Sequence, residues 1–278
     1  MPDSIHIETG TDELLCEIMQ RVAVVTLNKP HKKNALGDVL TPALRQILSD
    51  LELRSDVGCV MITGAGNAFC SGGDVSEMGG APRQVLSQEE RIADLAIKQQ
   101  TLTGRLYHLA KPTIAALPGA AAGAGFSIAL ACDIRVASAR AFMITAFRNV
   151  GLSGDYGASW FLPRLVGLSR AKSLFFQSPR IDAEEGRNIG LIDKVFPEES
   201  FREDALAFAI EIANGPTEAL MRMKHNLHAG LSQTLDESLL LEAKQMIASG
   251  GGDEAREAIS AFKEKRKPIF FPPGVDQV

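Results

Sequence analysis

Cysteine is scarce in this 278-residue sequence, and its four copies form no pattern. Cys16, Cys59, Cys70 and Cys132 lie in or beside apolar runs and never as a CxxC pair. That spacing argues against a disulfide frame and predicts buried free thiols of a reducing compartment. Five histidines (His6, His31, His108, His225 and His228) make no metal-like spacing with carboxylates, and no metal is expected. The common signatures of hydrolytic and phosphate chemistry are missing too: there is no GxSxG elbow, no P-loop, no HExxH and no GxGxxG. No apolar run approaches the length of a membrane span. The polar, acidic start MPDSIHIETGTDE fits no signal or transit peptide. These features together predict a cytoplasmic protein. Basic charge is in deficit, 29 Lys+Arg against 34 Asp+Glu for a net charge of −5, which argues against a general nucleic-acid binder.

What is present is an ordinary globular composition, 45% hydrophobic and 23% charged, with chain enough for one large domain or a domain plus a helical appendage. The pattern predicts a core over 1–198 and a helical region over 199–278. The organising stretch runs from Lys111 to Asp133, KPTIAALPGAAAGAGFSIALACD. It opens as the β-type run Thr113–Leu117, breaks at Pro118-Gly119, crosses small residues, and turns helical from Ala124. A strand entering a small-residue helix start presents unpaired N–H groups and the positive end of a helix dipole. Side chains this small let a ligand atom reach the backbone itself. Such a turn suits a phosphate, a carboxylate or a developing oxyanion, and equally well close helix–sheet packing.

The rest of the chain supplies context. Leu14–Ile18 and Val22–Leu27 read as an edge hairpin, Leu40–Leu51 as a helix, and Cys59–Thr63 as a strand buried in a parallel sheet. A second strand-to-turn passage follows, Ala68–Asp74, then a Gly/Pro-rich loop over 78–83. Ser87 with Glu90 makes a capping box for a helix expected to turn Ile92, Leu95, Leu102, Leu106 and Leu109 inward. Ser169 and Asp182 are expected helix caps, Ile192–Phe196 a short strand, and four helices follow from 203 to 264. The strand–helix alternation predicts an α/β fold with mostly parallel strands. Turns Ser71–Asp74 and Gly123–Gly125 would then both lie at the carboxyl ends of strands, where ligands bind. Two N–H donors converging from separate turns are the usual build of an oxyanion hole.

In these residues the chain resembles the crotonase (enoyl-CoA hydratase/isomerase) superfamily along nearly its whole length. The matching pieces are VAVVTLNKPHKKNAL, VMITGAGNAFCSGGD, KPTIAALPGAAAGAG, ACDIRVASARAFM, SWFLPRLVG, GLIDKVFP and AFKEKRKPIF, in order and at family-like spacing. The resemblance implies a superhelix of ββα units with a C-terminal helical trimerisation region, and a homotrimer or hexamer. It implies an acyl-CoA substrate and no cofactor beyond that CoA. By motif position the thioester oxygen would rest on the amides of Gly73 and Ala124, where the family usually has glycine at the second place. The turn at Lys33 and the backbone around Ser71, Asp74 and Val75 resemble the surface for adenine and pantetheine. Phe262 and Lys265 match positions that reach a neighbouring subunit's CoA.

Two departures bear on the reaction. The family's hydratases hold their water with two glutamates, and those places are Ser127 and Phe147 in this chain. Asp155, in GLSGD, falls where the phenylacetate-pathway epoxide/oxepin-CoA isomerases and some Δ3,Δ2-enoyl-CoA isomerases place one catalytic aspartate. It also reads as a helix N-cap. The resemblance therefore implies a double-bond shift by Asp155 beside an apolar Phe147 wall. A weak hydratase and a non-catalytic acyl-CoA binder are the alternatives. The aryl-CoA dehalogenases use the same aspartate position, but their supporting histidine corresponds to Gln100 and their tryptophan to Phe147. Phe126, Phe147, Tyr156, Trp160 and the loop over 77–89 are expected to shape the acyl pocket.

Overall fold

Uniformly apolar runs of five or six residues favour strands buried on both faces, and those runs build the centre of the molecule. The computed structural model describes residues 4–74 and 86–271. The expected loop over 78–83 and Val75 lie outside the described residues. In chain order the first strands are β1 (Ile5–Ile7), β2 (Leu14–Met19), β3 (Val22–Leu27), β4 (Cys59–Gly64), β5 (Ala68–Cys70) and β6 (Thr113–Leu117). They are followed by β7 (Ala120–Ala122), β8 (Ile134–Ser138), β9 (Phe142–Ile144), β10 (Ile181–Asp182) and β11 (Lys194–Phe196). Seven of them form one sheet in the order β1-β2-β3-β4-β6-β8-β11, and four form a second in the order β10-β9-β7-β5. Only the β1-β2-β3 edge of the larger sheet is antiparallel; from β3 onward its pairs are parallel.

Each successive turn of chain gives one strand to each sheet: β4 then β5, β6 then β7, β8 then β9. Helices close the turns, giving the crotonase-like superhelix of ββα units. These helices are α1 (Leu40–Leu53), α2 (Gln88–Gln99), α3 (Arg105–His108), α4 (Ala124–Ala131), α5 (Ala158–Val166), α6 (Leu168–Gln177) and α7 (Ala183–Asn188). A C-terminal set follows: α8 (Phe201–Ala213), α9 (Thr217–Gly230), α10 (Leu235–Gly250) and α11 (Asp253–Glu264). The main core lies between the two sheets and α1, α4 and α5. A second core forms on the other face of the large sheet, where Phe201, Ala205, Ala209 and Ala213 of α8 cover Val24, Met61, Ile114 and Val136. Helices α9 to α11 carry few buried residues and leave Leu227, Leu235, Met246 and Ile247 more than 70% exposed.

Three local expectations are corrected. The chain after Pro118-Gly119 forms β7 before its helix, although Ala120–Ala122 has no β-branched or aromatic residue; pairing on both sides with β5 and β9 overrides propensity. Helix α6 begins ahead of Ser169, after Gly167, and no side chain caps it. Ser87 and Glu90 do form the capping box of α2, yet Ile92 and Leu95 stay exposed while Leu102, Leu106 and Leu109 are buried. No residue of α2 is buried, and burial begins only at Leu102, inside the π turn Gln100–Gly104 that joins α2 to α3.

Candidate active site

The turn after β5 is fixed by three backbone hydrogen bonds to the preceding NKPHKKNAL turn. Ser71 N donates to Lys33 O (3.0 Å), Leu36 N to Gly72 O (2.8 Å) and Asp74 N to Leu36 O (2.8 Å). The N–H of Gly73, between these, has no partner among the described residues. In the second turn Gly123 N donates to Ile144 O (3.2 Å), and Ala124 is the first residue of α4. A first-turn N–H of a helix has no intrahelical acceptor, so the Ala124 amide is also open. Glycine is required where the two turns meet. Gly72 has φ +98°, and a Cβ built there would lie 3.0 Å from Ala122 O and 3.4 Å from Ala124 N. Gly123, with φ +53°, turns the chain into the helix. Gly73 and Ala124 are thus brought together with their amides unspent.

The Lys33 turn is anchored from within. Lys33 and Asn34 both take left-handed backbone, φ +50° and +56°. Buried Asn34 accepts from Lys29 N (2.9 Å) and donates to Ala65 O (3.0 Å) and Ala68 O (2.8 Å), joining the turn to the β4–β5 connection. Buried Asp74 binds Lys32 Nζ at 2.7 Å and Lys29 Nζ at 3.5 Å, and Lys29 also faces Glu13 at 3.4 Å. Ser71 Oγ donates to Lys32 O (3.2 Å).

Asp155 lies on the loop entering α5. Its Oδ1 accepts from Gln99 Nε2 (2.7 Å) and from Tyr156 N (2.8 Å). Among the described residues Oδ2 has no hydrogen-bond partner. Burial pushes the carboxyl above the usual carboxylate range, and the Tyr156 amide and the Gln99 side chain pull against that rise. Asp155 is not the side-chain cap of α5: Gly157, φ +81°, holds the cap position. Ser127, fully buried, donates to Gly123 O (3.2 Å) and to the backbone Asp155 O (2.8 Å), so its hydroxyl braces the aspartate loop against α4. Gln99, not Gln100, meets the carboxylate.

A cavity of about 370 Å³ joins these parts. Its walls include Ser71, Gly73, Asp74, Ala124, Phe147, Asp155 and Tyr156, with Arg45 of α1 and Lys98 of α2 at other points. Of its carboxylates, Asp38 is exposed and Asp74 is bound by lysines, so Asp155 alone is both partly withdrawn from water and open at one oxygen. Phe147 is 5% exposed and stacks on Phe175 with ring centres 6.1 Å apart. Two of the aromatic residues expected in the acyl pocket are elsewhere. Phe126 is sealed in the main core, and Trp160 packs against Tyr107 on a different cavity under the Arg164 guanidinium. Phe262, 86% exposed on α11, and Lys265 do not line the cavity of their own chain. Among the described residues no three His, Cys, Asp or Glu side chains group as a metal site, and no helix is long and apolar enough to cross a membrane.

Comparison with known proteins gives the family. The enoyl-CoA hydratase/isomerase family model matches residues 17–272. A Rhodobacter capsulatus protein named "Probable enoyl-CoA hydratase" is 37% identical, covering 91% of this chain and 96% of that one. The 1,2-epoxyphenylacetyl-CoA isomerase of Escherichia coli is 34% identical, covering 92% of this chain and 97% of its own. A crystal structure of an enoyl-CoA hydratase from Polaromonas sp. JS666, 31% identical, superposes with a TM-score of 0.85 over 92% of this chain and 98% of that one. With its superhelix of ββα units and a family model matched from Cys16's neighbour Glu17 almost to the end, the chain belongs to the enoyl-CoA hydratase/isomerase family of the crotonase superfamily.

Proposed function

We propose that the protein shifts a double bond in an acyl-CoA thioester, with Asp155 carrying the proton and the amides of Gly73 and Ala124 holding the enolate oxygen. The observation that carries this reading is the open Oδ2 of a part-buried Asp155 in a cavity walled by Phe147 at one hydratase-glutamate position, while the other position, Ser127, is fully buried outside the cavity wall. Ser127 spends its hydroxyl on two backbone carbonyls, and Phe147 offers no proton-transfer group. One carboxylate on an apolar wall can take a proton from C2 of a 3-enoyl thioester and return it at C4. As the C2–H bond breaks, charge moves onto the thioester oxygen, and preorganised N–H donors stabilise it there without reorganisation. Partial burial raises the basicity of the carboxylate, bringing it closer to a carbon acid. The step needs no electron transfer, and CoA enters only as part of the substrate. Lys33, Ser71, Asp74 and Val75 would carry the nucleotide and pantetheine. Phe262 and Lys265 would reach the CoA of a neighbouring subunit in a homotrimer or hexamer.

The test compares wild type and Asp155→Asn on 3-enoyl-CoA and 2-enoyl-CoA. The expected result is a double-bond shift by wild type that falls about 10²–10⁴-fold in the variant, the usual contribution of a general acid/base. Equal hydration of the 2-enoyl thioester by both proteins would overturn the reading.

A further inference from the structure

Tyr156 is held in a strained conformation beside Asp155. It follows Asp155 on the loop into α5, and its backbone has φ +50°, a left-handed conformation that bulky residues rarely take. Strain of this kind persists where the surrounding structure enforces it, and it collects at ligand sites. The ring is only 7% exposed, yet it forms part of the cavity wall beside Asp155. Its hydroxyl makes no hydrogen bond among the described residues.

A phenol nine-tenths buried in the wall of a ligand cavity, with no hydrogen-bond partner among the described residues, is a donor awaiting an acceptor. It stays a donor: burial, and then the nearby Asp155 carboxylate, push its pKa up to about 12, against a smaller opposing effect of Arg45. Arg45, half-buried on α1, lines the same cavity and adds a second donor, this one cationic. A plain hydrocarbon chain would leave the phenol unmatched and stripped of water, a costly arrangement for a buried polar group. An oxygen at that point would satisfy it.

We propose that Tyr156 selects the acyl group, so that the site takes acyl-CoA thioesters bearing a hydrogen-bond-accepting oxygen beyond the reacting carbons, in preference to plain hydrocarbon enoyl chains. This rests on the acyl-CoA reading of the cavity but not on the direction of the chemistry. Tyr156 is a specificity residue here, and the proton remains with Asp155.

The test uses unreactive ligands, so it is independent of turnover. Affinities of the complete protein for hexanoyl-CoA and for its 5- and 6-hydroxy derivatives are measured by calorimetry, in wild type and in Tyr156→Phe. The variant removes only an oxygen that makes no hydrogen bond within the described residues. In wild type, at least one hydroxy derivative is expected to bind about tenfold tighter than hexanoyl-CoA, the scale of one buried hydrogen bond. In Tyr156→Phe that preference should shrink to within about twofold. A wild type with no preference for any derivative, or a preference that survives Tyr156→Phe, overturns the proposal. If no acyl-CoA binds at all, the underlying acyl-CoA reading fails instead.

Discussion

Gln99 shows how much one amide can set at this site. It holds Asp155 Oδ1 at 2.7 Å and opposes the rise in pKa that burial imposes. Gln99→Leu removes that opposition, so the folded-state pKa of Asp155 should move up. The base acts deprotonated, and its acidic limb should therefore shift to higher pH in a plot of kcat/KM against pH. An unchanged limb would show that Gln99 does not tune the carboxylate. Residues of this kind divide sharply in legibility. Gly73, Ala124 and Asp155 stand in motifs whose small residues and spacing mark them in the sequence, and all three line one cavity. Gln99 has no motif. Gln100, which the resemblance to the dehalogenases set at this place, is exposed, and Gln99 just ahead of the π turn meets the carboxylate instead. Phe126 and Trp160 fail for a related reason: proximity in sequence to site residues says nothing of which side of α4 or α5 a ring leaves by.

At the scale of elements, the start of α4 carries the sharpest consequence. Ala124 is its first helical residue, where proline is favoured because the backbone is preset and the N–H is not used by the helix. Ala124→Pro should therefore fold while losing one oxyanion donor, lowering kcat about 10²–10³-fold. Full activity in a folded Ala124→Pro protein would sink the role of this amide. The alternation of strands and helices was readable because β4 and β6 are uniformly apolar and α1 is strongly periodic. β7 was not, because three alanines carry no strand signal and only the neighbours β5 and β9 make them one.

For the whole molecule, the C-terminal helices pose the largest unmet demand for burial. Met223, Leu227 and Leu231 of α9 and its end, with Leu235, Leu239, Met246 and Ile247 of α10, are each more than half exposed in the single chain. Apolar surface on this scale marks an interface. Light scattering should give three or six times the chain's 29.8 kDa mass, and Leu227→Glu with Ile247→Glu should lower it. A wild-type monomer would contradict the assembly. The helices themselves were plain in the sequence, since their caps and periodicity are local. The exposure of their apolar faces was not, since which helical residues stay uncovered depends on how the whole chain packs.

The four cysteines, finally, make this chain its own stability gauge. All are buried and free, and burial pushes the thiols of Cys16, Cys70 and Cys132 up to about 12, with Cys59 raised further still. A thiol-specific reagent attacks only the thiolate, so in the closed protein it has almost nothing to attack. Each cysteine belongs to a different part: Cys16 to the edge strand β2, Cys59 to central β4, Cys70 to β5 beside the cavity, and Cys132 to the end of α4. Labelling rates followed residue by residue then time the opening of each part separately, without adding a probe to the protein.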